Sequence, residues 1–355
     1  MIKEFFDQSK KDINNFLKSY IKQNKKLFNT ISPYWGQQLS KKLLDFSNQG
    51  KMIRGGLVLL GYQSFGKKKN TMDQIKIAAA MEIMHSSLLI HDDIMDRDTK
   101  RRGQITIHEF YKKLGKKFHL TDAEQFGLST AICLGDIGFF LASDILRSIK
   151  LPESIKNKII NLFSQEIMKV GLAQQFEIFS TFSNKNLKSS EVLSIYKFKT
   201  ARYTFSLPLK LGAISSRASQ SQLNSLDKLG EKLGLIFQIQ DDEIGIFGET
   251  KNTGKVVGSD VRENKKTLYY TNIFNHKKIP YQKELQTLYH KKNISHSDIH
   301  KIRHFLRTSG LFKKINSQKN KLYRESSILI KKIKTNNQNK KIYSELLEYN
   351  INRQK

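Results

Sequence analysis

Apolar residues recur at three- and four-residue spacing along almost the whole chain, and alternating, strand-like stretches are scarce. Ile159, Leu162, Phe163, Ile167 and Val170 make one such series, and Leu229, Leu233, Ile236 and Phe237 make another. This is the helical period, because side chains three and four apart share a face. An all-α fold follows. The stretch "IKIAAAMEIMHSSLLIHDDIMD", beginning at Ile75, is apolar on nearly every side until its acidic end, as a central helix surrounded by others should be. Pro208, inside "KTARYTFSLPLKLGAI", predicts a kinked helix. From Asp298 to Asn350 the period continues through Ile302, Phe305, Leu306, Leu322, Ile328, Ile342 and Leu346, which predicts a docked helical extension.

Four scattered prolines and no Gly/Ser-rich linker in 355 residues favour a single domain over 1–355. Its motif-bearing core runs over about 50–267, and the helical extension over about 298–350. The formal charge of +30 attracts anionic ligands and predicts peripheral contact with an anionic membrane surface. No specific nucleic acid is expected, because no recognisable binding motif accompanies the charge. One cysteine, Cys133, excludes an intrachain disulfide and a thiolate zinc site. With no apolar signal core in "MIKEFFDQSKKD", a cytoplasmic location is expected.

The chemistry concentrates in "LLIHDDIMDRDTKRRG". On a helix, Asp92 and Asp96 lie on one face about a turn apart. Two like charges ~5 Å apart repel by roughly 3 kcal/mol at an effective dielectric near 20, so the pair asks for a cation. A solvated acidic turn answered by Arg97, Arg101 and Arg102 is one answer. Magnesium is another, since it takes oxygen ligands from one or two carboxylates and completes its shell with water and substrate phosphate. A second apolar run ends the same way, in "IFQIQDDEIG", with Asp241 and Asp242. Two such helices facing each other would make a box of carboxylates for several ions and one polyanion. Cations suited to diphosphates surround these clusters in sequence. Lys51 and Arg54 are spaced to share a helix face, Arg101 and Arg102 follow the first cluster, Lys199 and Thr200 sit in "YKFKTARY", and Lys255 and Lys265 follow the second.

With these elements in order ("GKMIR", "EIMHSSLLIHDDIMDRDTKRRG", "LGD", "AQQFEI", "KTA", "FQIQDDEIG" and "GKVVGSDVRENKKT"), the chain resembles the trans-polyprenyl diphosphate synthases from about Gly50 to Thr267. The resemblance implies a bundle of roughly ten or more helices around a central cavity, of the isoprenoid synthase type, and a homodimer. It implies that Mg2+, more than one ion per site, is held by Asp92 and Asp96 with Asp93 supporting, and by Asp241 with Asp242 assisting. Arg101, Lys199, Thr200, Gln238, Lys255 and Lys265 would hold the allylic diphosphate. Lys51, Arg54, His85 and Arg102 would hold isopentenyl diphosphate. The sequence departs from the family pattern at Met52, Gly55, Ala173, Glu177, Gly245 and Asn264, where Arg, Pro, Gly, Asp, Asp and Gly are usual.

The implied reaction breaks an allylic carbon–oxygen bond, and the double bond of isopentenyl diphosphate attacks the resulting cation. Metal ions and lysines stabilise the departing negative charge. Asp92, Asp96, Arg101, Lys199 and Asp241 would carry catalysis. In this family an aromatic residue four or five places before the first aspartate ends elongation near farnesyl. Here Leu88 and Ser87 occupy those places, with Met84 one turn deeper, so a product of geranylgeranyl length or longer is expected, and Ser87→Phe is expected to shorten it. Two rival readings remain: a class I terpene cyclase, which would leave "GKMIR" without a role, and a non-catalytic or weakly active subunit of a heteromeric synthase, which Gly245 mildly favours.

Overall fold

A computed structural model describes residues 1–66, 70–183, 186–248, 258–262, 264–275, 282–289, 291 and 294–353. Contacts divide the chain into two compact units, Met1–Asn161 with Pro208–Ala218 and Leu162–Leu207 with Ser219–Lys355. Among the described residues the only sheet is one two-stranded hairpin, and the rest of the regular structure is helical. The all-α expectation therefore holds.

The first unit contains α1 (Ile2–Gln23), α2 (Lys25–Phe28), α3 (Pro33–Asn48), α4 (Ile53–Phe65), α5 (Met72–Met95), α6 (Ile107–Lys117), α7 (Ala123–Arg147) and the start of α8 (Glu153–Phe182). Helix α5 is the expected central helix. Ile77, Ala78, Ala79, Ala80 and Met81 are all 0% exposed, so no face of this segment meets water. It packs against α1, α4 and α7. Its start is set by Thr71, whose side chain and backbone form a reciprocal capping box with Gln74. Phe46, Ile90, Ile107, Tyr111, Ala131 and Leu134 form an apolar cluster beneath its acidic end. Burying a side chain the size of Phe46, Ile90 or Leu134 contributes roughly 1.5–3 kcal/mol, enough to hold unfavourable charge above it.

The second unit contains most of α8, then α9 (Ser189–Ile195), a π-helical stretch (Tyr196–Ser206), α11 (Gln220–Phe247), α12 (Ser259–Arg262), α13 (Leu268–Phe274), α14 (Gln282–Tyr289), α15 (His296–Thr308), α16 (Leu311–Lys332) and α17 (Asn337–Asn352). Most of α10 (Leu207–Ser215) belongs to the first unit. Pro208, where a kink was expected, is the second residue of α10, directly after the π-helical stretch. Proline lacks an N–H and its ring crowds the carbonyl four residues back, and a wider turn relieves both problems. This stretch is tied down by Arg202, whose Nε and Nη2 each donate to buried Glu166 at 2.9 Å. The extension predicted from Asp298 is helical, and Ile302, Leu306, Ile342 and Leu346 are buried in it. Ile328 is 52% exposed, so it does not join that core.

Candidate active site

The first aspartate cluster closes α5. The Asp96 N–H donates to the Asp92 carbonyl at 2.8 Å, so the two side chains are one helical turn apart, and both are half-buried. Asp93 points elsewhere. It is 0% exposed and accepts a hydrogen bond from Arg101 Nε, while Arg101 Nη2 stands 3.6 Å from Asp92 and 3.5 Å from Asp98. Burial pushes the Asp93 carboxyl up to about 7, against the opposing pull of Arg101. Its Oδ2 is buried without a hydrogen-bond partner.

Arg101 and Arg102 owe their places to a feature the helical period could not announce. Strands β1 (Lys100–Arg101) and β2 (Gln104–Ile105) pair antiparallel, with Arg101 opposite Gln104. The two linking residues, Arg102 and Gly103, have φ of 53° and 77°. Positive φ at both central positions is the type I′ hairpin turn, which twists with its strands. Glycine suits it; an arginine there is held in a sparsely populated conformation costing about 1 kcal/mol, which is tolerated most often at functional sites. The Arg102 guanidinium lies against Gly50, next to Lys51: a Cβ on Gly50 would stand 3.1 Å from Arg102 Nη1.

Lys51 and Arg54 do not share a helix face. Met52, between them, is left-handed with φ 49° and starts α4, which leaves exposed Lys51 on the approach and Arg54 in the first turn. A carboxylate from α5 receives that helix start. Glu82, 4% exposed, accepts the Gly55 N–H at 2.7 Å and satisfies a donor that would otherwise be orphaned. Burial raises the Glu82 pKa, while the Gly55 N–H, Arg54 and Arg102 pull it back. His85, one turn further along α5, faces the same cations. Burial and then the charges of Arg54, Arg102 and Arg101 hold its pKa well below the ordinary histidine value, so the imidazole is neutral.

The residues expected to form the floor separate in the structure. Ser87 is 0% exposed and donates to the Ile83 carbonyl at 3.0 Å. It sits hard against α7, where a Cβ added to Gly138 would fall 2.0 Å from its Oγ. That close approach leaves no room for a phenylalanine at Ser87. Met84 is 4% exposed and Leu88 is half-buried.

In the second unit, a hydrogen-bonded chain orders the other predicted residues. The Leu268 N–H donates to Tyr196 Oη at 2.9 Å, and Tyr196 in turn donates to Asp242. The same carboxylate accepts Gln238 Nε2 at 3.0 Å, which turns Gln238 Oε1 to accept Thr200 Oγ1 at 2.9 Å. Asp242 is thus buried at 3% exposure and used inward, whereas Asp241 is exposed and ion-paired with Arg353. Lys199 pairs with Glu177, at the position noted as departing from the family pattern. Lys199 and Thr200 both ride on the π-helix, a widened turn common at functional sites. Lys265 is half-buried beyond Asn264, whose φ is 52°. Lys255 lies outside the described residues.

Among the described residues no three His, Cys, Asp or Glu side chains are gathered into a ready-made metal cage. Magnesium does not need one, because it retains water and takes phosphate oxygens. Asp92 and Asp96 supply hard oxygen donors on one face, with an unsatisfied Asp93 oxygen behind them. The residues present fit that ion.

Sequence reasoning missed Glu82, Tyr196 and Arg353, and it marked Glu177 only as a departure without its pairing to Lys199. Glu82 and Glu177 stand inside quoted motifs, but nothing in their spacing announces their partners. Arg353 has no sequence signal at all.

The family model described as "Polyprenyl synthetase" matches residues 36–306. The chain is 30% identical over 287 residues to a short chain isoprenyl diphosphate synthase of Methanocaldococcus jannaschii, which covers 81% of this chain and 78% of that protein. It is also 30% identical over 246 residues to a farnesyl diphosphate synthase of Micrococcus luteus, covering 69% of this chain and 78% of that one. In fold, it matches a geranylgeranyl pyrophosphate synthase from Corynebacterium glutamicum, solved with isoprenyl diphosphate and magnesium. There the TM-score is 0.90 at 24% identity, over 98% of this chain and 99% of that one.

Proposed function

We propose that this chain, which belongs to the polyprenyl synthetase family and is a trans-prenyltransferase, condenses isopentenyl diphosphate with an allylic diphosphate and extends the product past farnesyl to geranylgeranyl length or longer. The observation that carries this reading lies within one unit. Half-buried Asp92 and Asp96 stand beside Arg101, which continues into Arg102, and Arg102 shares with Arg54 the charge felt by Glu82 and His85. Carboxylates for a metal and cations for a diphosphate therefore adjoin each other.

Asp92 and Asp96 would hold Mg2+, which when bound neutralises charge on the allylic diphosphate and on the leaving group. Asp93 braces Arg101 from below and leaves Asp92 and Asp96 to face outward. Lys51, Arg54 and Arg102 are assigned to isopentenyl diphosphate. Neutral His85 offers that substrate a hydrogen bond and no charge. Arg101, Lys199, Thr200, Gln238 and Lys265 are assigned to the allylic diphosphate, and Asp241 to a further metal ion. The nucleophile is the isopentenyl double bond, and the released diphosphate takes the proton, so no dedicated side-chain base is required.

For chain length, Leu88 and Met84 are the floor. Neither is aromatic, which supports a product beyond farnesyl. The two compact units are read as one functional domain, since the family match is continuous across their boundaries. Ile132, Ile137 and Phe140 are exposed along α7, and an apolar helix face of this kind supports a homodimer. The cytoplasm is the proposed setting.

The test is to incubate the purified chain with Mg2+, labelled isopentenyl diphosphate and, in separate arms, a five-carbon allylic diphosphate or farnesyl diphosphate, followed by chromatography of the dephosphorylated products. Products of geranylgeranyl length or longer are expected. No condensation with either primer would favour the accessory-subunit reading, condensation with the five-carbon primer alone would place the product at farnesyl and overturn the longer one, and a cyclised hydrocarbon would favour the terpene cyclase.

A further inference from the structure

Arg353 follows the last residue of α17 and is seated on α11. Its Nη2 donates to Asp241, its guanidinium carbon stands 3.7 Å from the centroid of the Phe237 ring, and its carbonyl accepts Gln240 Nε2 at 3.1 Å. One turn back, Asn350 Nδ2 donates to the Leu233 carbonyl at 3.2 Å. Leu233, Phe237, Gln240 and Asp241 lie along one face of α11 at helical spacing. The end of α17 therefore runs along the face that leads to the second aspartate cluster. The Arg353 side chain is 8% exposed while Asp241 is 49% exposed, so the cation is buried beneath an open carboxylate.

The neighbouring acids are also engaged. Asp242 is held by Tyr196 and Gln238, and Glu243 accepts Lys319 Nζ at 2.6 Å. Gly245 adds no further oxygen. A metal ion approaching this cluster thus meets one accessible carboxylate, and that carboxylate already has a counterion.

We propose that Arg353 is a built-in competitor for the second metal: a divalent cation arriving with a diphosphate takes Asp241 by displacing the guanidinium, and this loosens the segment at the end of α17. The inference rests on reading Asp241 as a metal ligand. A compact dication binds a carboxylate more strongly than a guanidinium does, but it must overcome the ion pair and the cation–π contact. By linkage, whatever weakens the Arg353 contact must tighten the metal.

The experiment titrates Mn2+, followed by electron paramagnetic resonance, at a fixed level of inorganic diphosphate. It compares the wild type, Arg353→Gln and Asp241→Asn, each checked for folding by thermal melt. Hydrogen exchange over residues 343–353 of the wild type is measured with and without Mn2+ and diphosphate. Arg353→Gln should bind the weakest Mn2+ roughly fivefold more tightly, the factor expected for losing a part-exposed ion pair. Wild-type exchange over 343–353 should speed up on ligation, against the general slowing that binding brings. If Asp241→Asn loses one Mn2+ while Arg353→Gln leaves every affinity unchanged, the competitor is overturned and the ligand stands. If Asp241→Asn binds as many ions as the wild type, the ligand reading itself fails. Slower or unchanged exchange over 343–353 would also overturn the displacement, independently of either variant.

Discussion

Arg101 pairs with Asp93 across eight residues, and the carboxylate it holds has no exposed surface. The pair fastens the hairpin to the end of α5 and separates adjacent aspartates into a structural one and an open one. Asp93→Ala is accordingly expected to lower stability by about 1–3 kcal/mol, since it removes the oxygen that accepts Arg101 Nε and leaves a part-buried donor unpaired. Activity should fall with it through misplacement of Arg101. Thermal melts and steady-state kinetics on the same preparation check both.

Asp92→Ala and Asp96→Ala should behave in the opposite way. Each is expected to abolish most condensation, because a magnesium ligand is lost, while the melting temperature stays level or rises as like-charge repulsion is relieved. Near-normal turnover in either variant would sink the metal assignment.

Arg102→Ala is expected to weaken isopentenyl diphosphate several-fold more than the allylic substrate, and Lys199→Ala the reverse. Two ligands of like charge need separate cationic cradles. Apparent affinities for both substrates in each variant decide the matter. Equal effects would defeat the division.

The packing of α5 on α7 changes how product length should be probed. Ser87→Phe is expected to destabilise by about 1–3 kcal/mol through overpacking against Gly138, which confounds any change in its product with a displacement of α5. Leu88→Phe, at a half-buried position, should remain folded and move the product toward farnesyl. Product chromatography of Leu88→Phe is the direct check, and an unchanged chain length would remove Leu88 from the floor.

Asp298 caps α15 by accepting the Ser295 N–H at 2.9 Å and pairs with Lys291 Nζ at 2.7 Å. The bond from Lys291 and those from Ser295 hold its carboxyl below the ordinary range. A carboxylate depressed in the folded state adds stability above its unfolded pKa and loses it as pH falls through the folded value. Asp298→Asn should therefore be less stable than the wild type at neutral pH, and the gap should close in strong acid. Melts across a pH series test this; a gap that widens on acidification would reverse the sign.

The helices, the central place of α5 and both aspartate clusters were legible because periodicity and residue type are local properties. The hairpin at Arg101 and Arg102 was less so: each strand is two residues long, too short for any alternation, and Gly103 is its only local mark. Lys51 and Arg54 looked like helix neighbours because spacing says nothing of the left-handed Met52 between them. Pro208 marked a disturbance in the helix, but the π-helix upstream of it that carries Lys199 and Thr200 has no signature in residue type or period.

By itself, then, the sequence determined an all-α chain with two acidic helix ends and a set of phosphate-sized cations, since hydrophobic period and side-chain chemistry need no partner to be read. Only the tertiary structure decided which member of each aspartate pair faces outward and which is buried as a brace. It alone supplied Glu82 beneath Arg54, Glu177 beside Lys199 and Arg353 against Asp241. Those outcomes turn on burial and on charges brought together from distant parts of the chain, and in a medium of low dielectric such contacts set a carboxylate's partner and its proton more strongly than its sequence neighbours do.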